Sequence, residues 1–286
     1  MYQKLIVIII AGLIGVGICN GQSGRRGYAS LRYLTIDSAL YKLTYKVDIV
    51  RDTANREDIT SAYLVTLVGK EKAKAEDYYT FVSDSLRMAL VAQNASDAEI
   101  MERRLSVQRN RVFREEILLD YPSAGELVFQ ESISGDFQRV YDVDCRQKWE
   151  LTDEMIDILG YKCRKAVCTF RGREYEAWYA EDLPITRGPY YFHGLPGLIV
   201  RLSDSDGDYK FSLIGLEAVD VPFPITLYDD NGVENVSRED FRFLKDYYSK
   251  DGAAAFTGVQ GIRVELSPED IQRINSPRPY NPIERE

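Results

Sequence analysis

Among 286 residues there is a single histidine, His193, so any nucleophilic mechanism of the Ser-His-Asp or Cys-His kind has to run through it. No Gly-x-Ser-x-Gly elbow accompanies it, and no cysteine stands in a recognisable nucleophile context. His193 is therefore expected to be a loop histidine making one hydrogen bond. Carboxylates are far more numerous, at 45. The run Asp204-Ser205-Asp206-Gly207-Asp208 alternates oxygen ligands as a calcium loop does. An EF-hand needs glycine at its sixth position and glutamate at its twelfth, where Tyr209 and Gly215 stand, so the run reads as a solvated hairpin turn. Glu174 and Glu176 share one face of a strand. Two of Glu176, Glu181, Asp182 and Asp204 meeting in one cleft would supply a hydrolase with an acid and a base.

Cys19 lies in the leader described below, which leaves Cys145, Cys163 and Cys168. Cys163 and Cys168 are five apart in one expected strand and so point to opposite faces. Export to an oxidising compartment then predicts one disulfide, Cys145–Cys163, with Cys145–Cys168 as the alternative. Three cysteines and one histidine without Cys-x-x-Cys spacing make no zinc site, and no glycine-rich phosphate loop follows a strand. The expected metal and cofactor complement is none.

The elements that must position these groups are mostly strands. Tyr41, Leu43, Tyr45, Val47 and Ile49 alternate with polar residues as in a half-buried antiparallel strand. Further strands are expected at 61–68, 116–121, 126–131, 137–143, 148–151, 160–170, 173–180, 198–203 and 209–218, with Arg171-Gly172 as a tight hairpin turn. The period changes over 83–109, where Ser96 caps a helix with Asp97 and Glu99 in its first turn, which reads as a helical insertion. A late helix starts behind Ser237, and 275–286 is an extended, proline-rich tail. Consecutive hairpins with few helices predict a mainly β, or α+β, fold: one curved antiparallel sheet or partly open barrel with a few peripheral helices.

One loop conflicts with its surroundings. Gly188, Pro189, Tyr190, Tyr191, Phe192, His193, Gly194, Leu195, Pro196, Gly197, Leu198 and Ile199 combine large apolar side chains with chain-breaking residues. Such a loop is either tucked onto the core or offered to a partner. The first reading is favoured, and the second makes this segment a ligand or partner loop.

The opening residues carry Lys4 and then an apolar or glycine run from Leu5 to Ile18, too short to span a membrane but fitting a signal peptide cleaved after Gly21. Soluble export is favoured over lipid anchoring at Cys19, because Ile18 is not small. Cleavage removes Lys4 and no carboxylate, so the net charge of −9 becomes one unit more negative. That acidic balance excludes nucleic acid and anionic lipid as partners. No stable membrane insertion is expected after cleavage, and residues 22–286 read as one domain.

The segment Gly194-Leu-Pro-Gly-Leu-Ile199 stands with Trp149-Glu-Leu, Gly160–Ala166 (GYKCRKA), Phe170–Ile185 (FRGREYEAWYAEDLPI) and Tyr280–Glu284 (YNPIE). In these the chain resembles the GLPGLI family of exported Gram-negative proteins, over about Leu40 to the C-terminus. The resemblance implies a periplasmic or envelope protein of no established activity, with no catalytic residues to carry over. The strand pattern also resembles periplasmic lipoprotein carriers, which fold as a curved, partly open barrel around an apolar groove. Asp37-Ser38-Ala39, Asp52-Thr53-Ala54 and Asp84-Ser85-Leu86 resemble O-glycosylation sites of exported proteins, at Ser38, Thr53 and Ser85. The expectation is a non-enzymatic binding or carrier protein. It would hold an apolar small molecule in a sheet groove lined by Tyr41, Tyr45 and Trp178, or an envelope protein on the 188–199 loop. A carboxylate-based hydrolase and a purely structural envelope protein are the alternatives.

Overall fold

In the computed structural model, residues 32–133, 136–142, 145–229, 232–250 and 279–285 are described. The expected leader and its expected cleavage site lie outside them. The alternation that begins the chain makes β1 (Tyr33–Val50), which pairs on one side with β2 (Ile59–Gly69) and on the other with β11 (Tyr209–Tyr228), both antiparallel. β3 (Ala73–Asp77), β4 (Glu116–Leu119), β5 (Leu127–Ile133) and β6 (Asp136–Asp142) continue the sheet beyond β2. β10 (Leu198–Asp204), β9 (Arg173–Ala180), β8 (Tyr161–Phe170) and β7 (Glu150–Ile158) continue it beyond β11. The short β12 (Val233–Asn235) runs parallel to β6. Among the described residues these strands form a single twelve-stranded sheet whose ends, β12 and β7, do not meet. The curved, open, mainly antiparallel sheet is as the hairpin pattern predicts.

Side-chain alternation sorts this sheet into two faces. Leu43, Tyr45, Val47, Leu64, Ile117, Phe129, Tyr175 and Phe211 point to one, where they meet the 188–199 loop. Val65, Leu67, Leu118, Val128 and Ile225 point to the other, beneath Tyr78 and Phe81 of the first helix. These are the loop face and the helix face.

The expected helical stretch is a pair, α1 (Tyr78–Ala92) and α2 (Asp97–Gln108). α1 begins five residues before the change of period because Asp77 caps it, accepting from Tyr79 N at 2.8 Å. The second Asp77 oxygen accepts from Val112 N and Phe113 N at 2.9 and 3.1 Å, which fastens the chain leaving α2 to the start of α1. Ser96 caps α2 as expected, accepting from Glu99 N at 3.3 Å. α3 (Arg238–Lys250) follows the Ser237 cap and lays Phe241 into the loop-face core. β3 is a strand that the sequence pattern does not announce: alanines fill one of its faces and Lys74 and Glu76 the other.

Two-residue turns join β7 to β8 through Leu159-Gly160 and β8 to β9 through Arg171-Gly172. All four residues have positive φ, the geometry whose twist matches paired strands. The described part of the tail, 279–285, has no regular structure and is held down by side chains. Arg173 donates to Asn281 Oδ1 and Pro282 O at 2.7 and 2.6 Å, Tyr209 Oη to Asn281 O at 2.6 Å, and Asn281 Nδ2 to Val50 O at 2.8 Å. Among the described residues no helix is long and apolar enough to cross a membrane.

Candidate active site

The 188–199 loop is core. Tyr191, Phe192, Leu198 and Ile199 are fully buried, and Tyr190, His193 and Leu195 nearly so. Tyr190 adopts a positive φ of 59°, which turns its ring inward against Phe113, 5.6 Å between centroids, and its hydroxyl donates to Glu115. Phe192 stacks edge-on with Tyr175 at 4.6 Å, and the Tyr45 hydroxyl donates to Ile199 O at 2.7 Å. Gly197 has no room for a side chain, since a Cβ there would lie 2.2 Å from Ala180 O, while Gly194 is needed for a φ of +90°. Gly188 is likewise hemmed in by Phe192 O and Ile199. Pro189 O accepts from Phe192 N at 3.0 Å, closing the first turn of the loop, and Pro196 carries the chain on toward β10. The sheet curves around this loop, so Tyr45 is sealed beneath it and Trp178 is buried in the same core, while Tyr41 is exposed, and the three do not line a common groove.

His193 sits among backbone partners. Its Nδ1 lies 2.9 Å from Tyr191 O, its amide donates to Gln147 Oε1 at 3.1 Å, and its carbonyl accepts from Trp149 Nε1 at 2.9 Å. Burial holds its pKa below the ordinary imidazole value. No nucleophile stands beside it. All three cysteines are free and buried, so the expected Cys145–Cys163 bridge is not made. Cys145 Sγ donates instead to Gly125 O at 2.9 Å, and Cys163 Sγ to Tyr161 O at 3.6 Å. Ser38 and Thr53 are exposed, whereas Ser85 is half-buried in α1 with its hydroxyl on Phe81 O at 2.8 Å.

The four carboxylates, two of which a hydrolase cleft would bring together, each have a separate setting. Asp204 is buried against Arg173 at 2.5 Å, and Asp208 shares that guanidinium at 3.1 Å, with Arg56 and Arg285 close by. Glu176 pairs with Lys165 at 2.9 Å and accepts from Trp178 Nε1 at 2.8 Å. Glu181 lies 3.5 Å from Arg164 at the surface, and Asp182 is exposed.

A different set does converge, on the helix face. Lys74 and Glu76 project from β3, Glu116 from β4, where the register places it across from Glu76, and Asp84 from α1 above them. Oxygens of Glu76, Asp84 and Glu116 come within 4.8 Å of one another. The Lys74 ammonium occupies the space between, 2.6 Å from Glu116 Oε2 and 3.0 Å from Glu76 Oε2. Arg104 of α2 closes one side, donating to Asp84 Oδ1 at 2.9 Å and to Ser83 Oγ at 3.1 Å. Leu67, Phe81, Arg87, Met88, Phe223 and Thr226 complete a narrow cleft beside these groups, with room for about one water molecule and part of it open to solvent.

Burial disfavours charge on Lys74, Glu76 and Asp84, and the balance of neighbours decides each. Glu76 is pushed up to about 8 by burial, with Glu116 and Asp84 adding to the rise and Lys74 opposing it. Asp84 is raised too, by burial and then Glu116. Lys74 stays charged, because the carboxylates around it, Glu116 foremost, outweigh its own burial. Glu116 is the closer partner of the ammonium, and Glu76 is left holding its proton at neutral pH. A protonated carboxyl beside an ion-paired carboxylate, with a cation between, is the arrangement of a general acid and general base.

Sequence reasoning passes over this cluster because its members lie in three elements. The available signal is the alternation Ala73-Lys74-Ala75-Glu76, which puts two charges on one strand face. Asp84 does stand out in the sequence, but as part of a modification pattern.

The fold and this cleft define a β-sheet protein with an acid–base cluster on its helix-covered face. The family model for "N-glycanase peptide, N-terminal domain" matches residues 71–220, just over half of the chain, and the chain belongs to that family. Among solved structures it is similar to PNGF-II in two crystal forms. The P21 form has 14% identity, a TM-score of 0.48, and coverage of 73% of this chain and 33% of that one. The C2 form has 13% identity, the same TM-score, and coverage of 73% and 32%. The chain thus spans about a third of the length of those structures. No curated protein matches it.

This membership corrects three expectations. The family is not GLPGLI but the N-glycanase N-terminal domain family. A non-catalytic carrier or purely structural envelope protein is overturned by a family described through an enzyme, and so is the expectation that the chain has no enzymatic role.

Proposed function

We propose that the chain acts on N-glycosylated polypeptides as a hydrolase of the N-glycanase class, with Lys74, Glu76, Asp84 and Glu116 as its acid–base centre. The observation that carries this reading is the convergence of the Glu76, Asp84 and Glu116 carboxylates on the one buried ammonium of Lys74. All four residues lie within the segment that defines the family, and one of them is an acid at neutral pH. Freeing an N-linked glycan by hydrolysis means expelling a nitrogen, a poor leaving group until it is protonated. In the proposed step, water attacks the carbon bonded to that nitrogen and passes a proton to Glu116. Glu76 gives its proton to the nitrogen as the bond breaks. Lys74 keeps negative charge at the centre balanced, and Asp84 with Arg104 fixes the wall on the α1 side. The leader over residues 1–21 supports export of residues 22–286 as one domain to a compartment where glycoproteins are met.

The test is incubation of the chain with an N-glycosylated peptide and mass spectrometry of the products. Release of the glycan by the unaltered chain, lost in Glu76→Gln at unchanged melting temperature, is the expected outcome. Equal release by Glu76→Gln would remove the cleft from the mechanism. Neither release nor binding by the unaltered chain would remove the function.

A further inference from the structure

The two ends of the sheet are not alike. At one, β12 is only three residues long, which is how natural sheets blunt an edge. At the other, β7 presents nine residues, and nothing among the described residues pairs with its outer side. Seven of the nine are exposed. They include Leu151 at 52%, Met155 at 51% and Ile156 at 37%, and Leu159 follows in the turn at 53%. An exposed strand edge with this much apolar surface is a template for another strand.

The charge of β7 selects what can lie there. Glu150, Asp153, Glu154 and Asp157 are all acidic, and no basic residue occurs in the strand. Among the described residues only Glu154 is neutralised, by Lys165 at 3.1 Å. A second copy of the chain would set carboxylates against carboxylates on a protein whose net charge is already −9, and like charges opposed across strands are destabilising. The register slips between Leu151 and Met155, leaving Met155–Ile158 as an unbroken paired run against β8. Ile156 and Asp157 point to opposite faces there.

We infer that the outer edge of β7 takes an extended polypeptide segment, with an apolar residue opposite Ile156 and lysine or arginine opposite Asp153 and Asp157. The segment is added as a further strand of the sheet. Main-chain hydrogen bonds along the edge supply affinity, and the acidic and apolar side chains supply selection.

The probes are three end-capped nine-residue peptides: one of alternating lysine and valine, one of alternating glutamate and valine, and the lysine peptide N-methylated at alternate residues. Fluorescence polarisation and amide hydrogen exchange are read on the whole chain. The expected result is saturable binding of the lysine peptide alone, with slowed exchange at amides in 150–158. Asp157→Lys should weaken binding about tenfold. Since Asp157 is exposed, an unchanged melting temperature confirms that this variant is folded. Equal binding of the N-methylated peptide would show that no strand is added, and equal binding of the glutamate peptide that charge selects nothing. Either result, or no saturable binding below millimolar peptide, overturns the inference. So does a dimer, seen in sedimentation, that already protects the β7 amides.

Discussion

Glu76 is where a single residue's chemistry is most displaced from its ordinary behaviour. Its pKa in the folded chain, about 8, lies above that of an unfolded glutamate, so the folded state binds the proton more tightly. The stability this proton confers is complete below the unfolded pKa and is lost as pH rises through about 8. Denaturant unfolding at pH 6 and pH 9 should therefore show the chain weakening on the alkaline side, and Glu76→Gln, which cannot ionise, should flatten that dependence. An unaltered pH profile in the glutamine variant would place the titrating group elsewhere. Glu115, one residue before Glu116, shows how alternation separates two chemistries. It faces the loop side, where Tyr190 and Lys245 hold it, at 2.9 Å from the lysine, and where Lys245 also reaches Glu131 at 3.1 Å. Despite complete burial, Lys245 and Tyr190 keep the Glu115 carboxyl below the ordinary glutamate value.

At the scale of elements, the loop of 188–199 shows that composition can declare burial before any geometry is known. Its aromatics and leucines are too apolar to leave in water, and its glycines mark where backbone meets backbone. Two glycines act for different reasons, and substitution separates them. Gly197→Ala puts a methyl 2.2 Å from Ala180 O, against main chain that cannot move without breaking β9–β10 pairing, and should cost about 3 kcal/mol or more. Gly194→Ala meets no atom within 4 Å and carries only the strain of positive φ, about 1 kcal/mol. Chemical denaturation of the two variants checks the ranking; equal losses would contradict it. Leu195, 1% exposed, belongs to the same core, and Leu195→Asp should destabilise by about 3 kcal/mol through a buried charge.

The whole molecule is tied across its sequence by arginines that reach the last residues. Arg173 on β9 holds Asp204, Asp208, Asn281 and Pro282 together, and Arg171 and Arg238 both pair with Asp142 and Glu284. The acidic turn 204–208 is thus a dock for the tail, through arginine. Arg173→Leu would leave the buried Asp204 carboxylate without its cation and Asp208 with Arg56 and Arg285 alone. It should lower stability by about 3–5 kcal/mol and expose 279–285 to proteolysis, which limited digestion with mass spectrometry reads directly. A tail that stays protected in that variant would show that the remaining contacts suffice.

What the sequence determined was local. The alternation in β1, the Ser96 and Ser237 caps, the Arg171-Gly172 turn and the mainly β class all follow from periods of two or 3.6 residues and from capping chemistry within a few positions. The apolar character of the 188–199 loop was equally plain. Tertiary structure decided the rest, because the deciding distances join residues far apart in the chain. It chose core over display for that loop by curving twelve strands around it. It kept the three thiols apart and gave Asp204 to Arg173. It also brought Lys74, Glu76, Asp84 and Glu116 together from two strands and a helix, where burial and mutual charge, properties no single segment has, set the proton on Glu76.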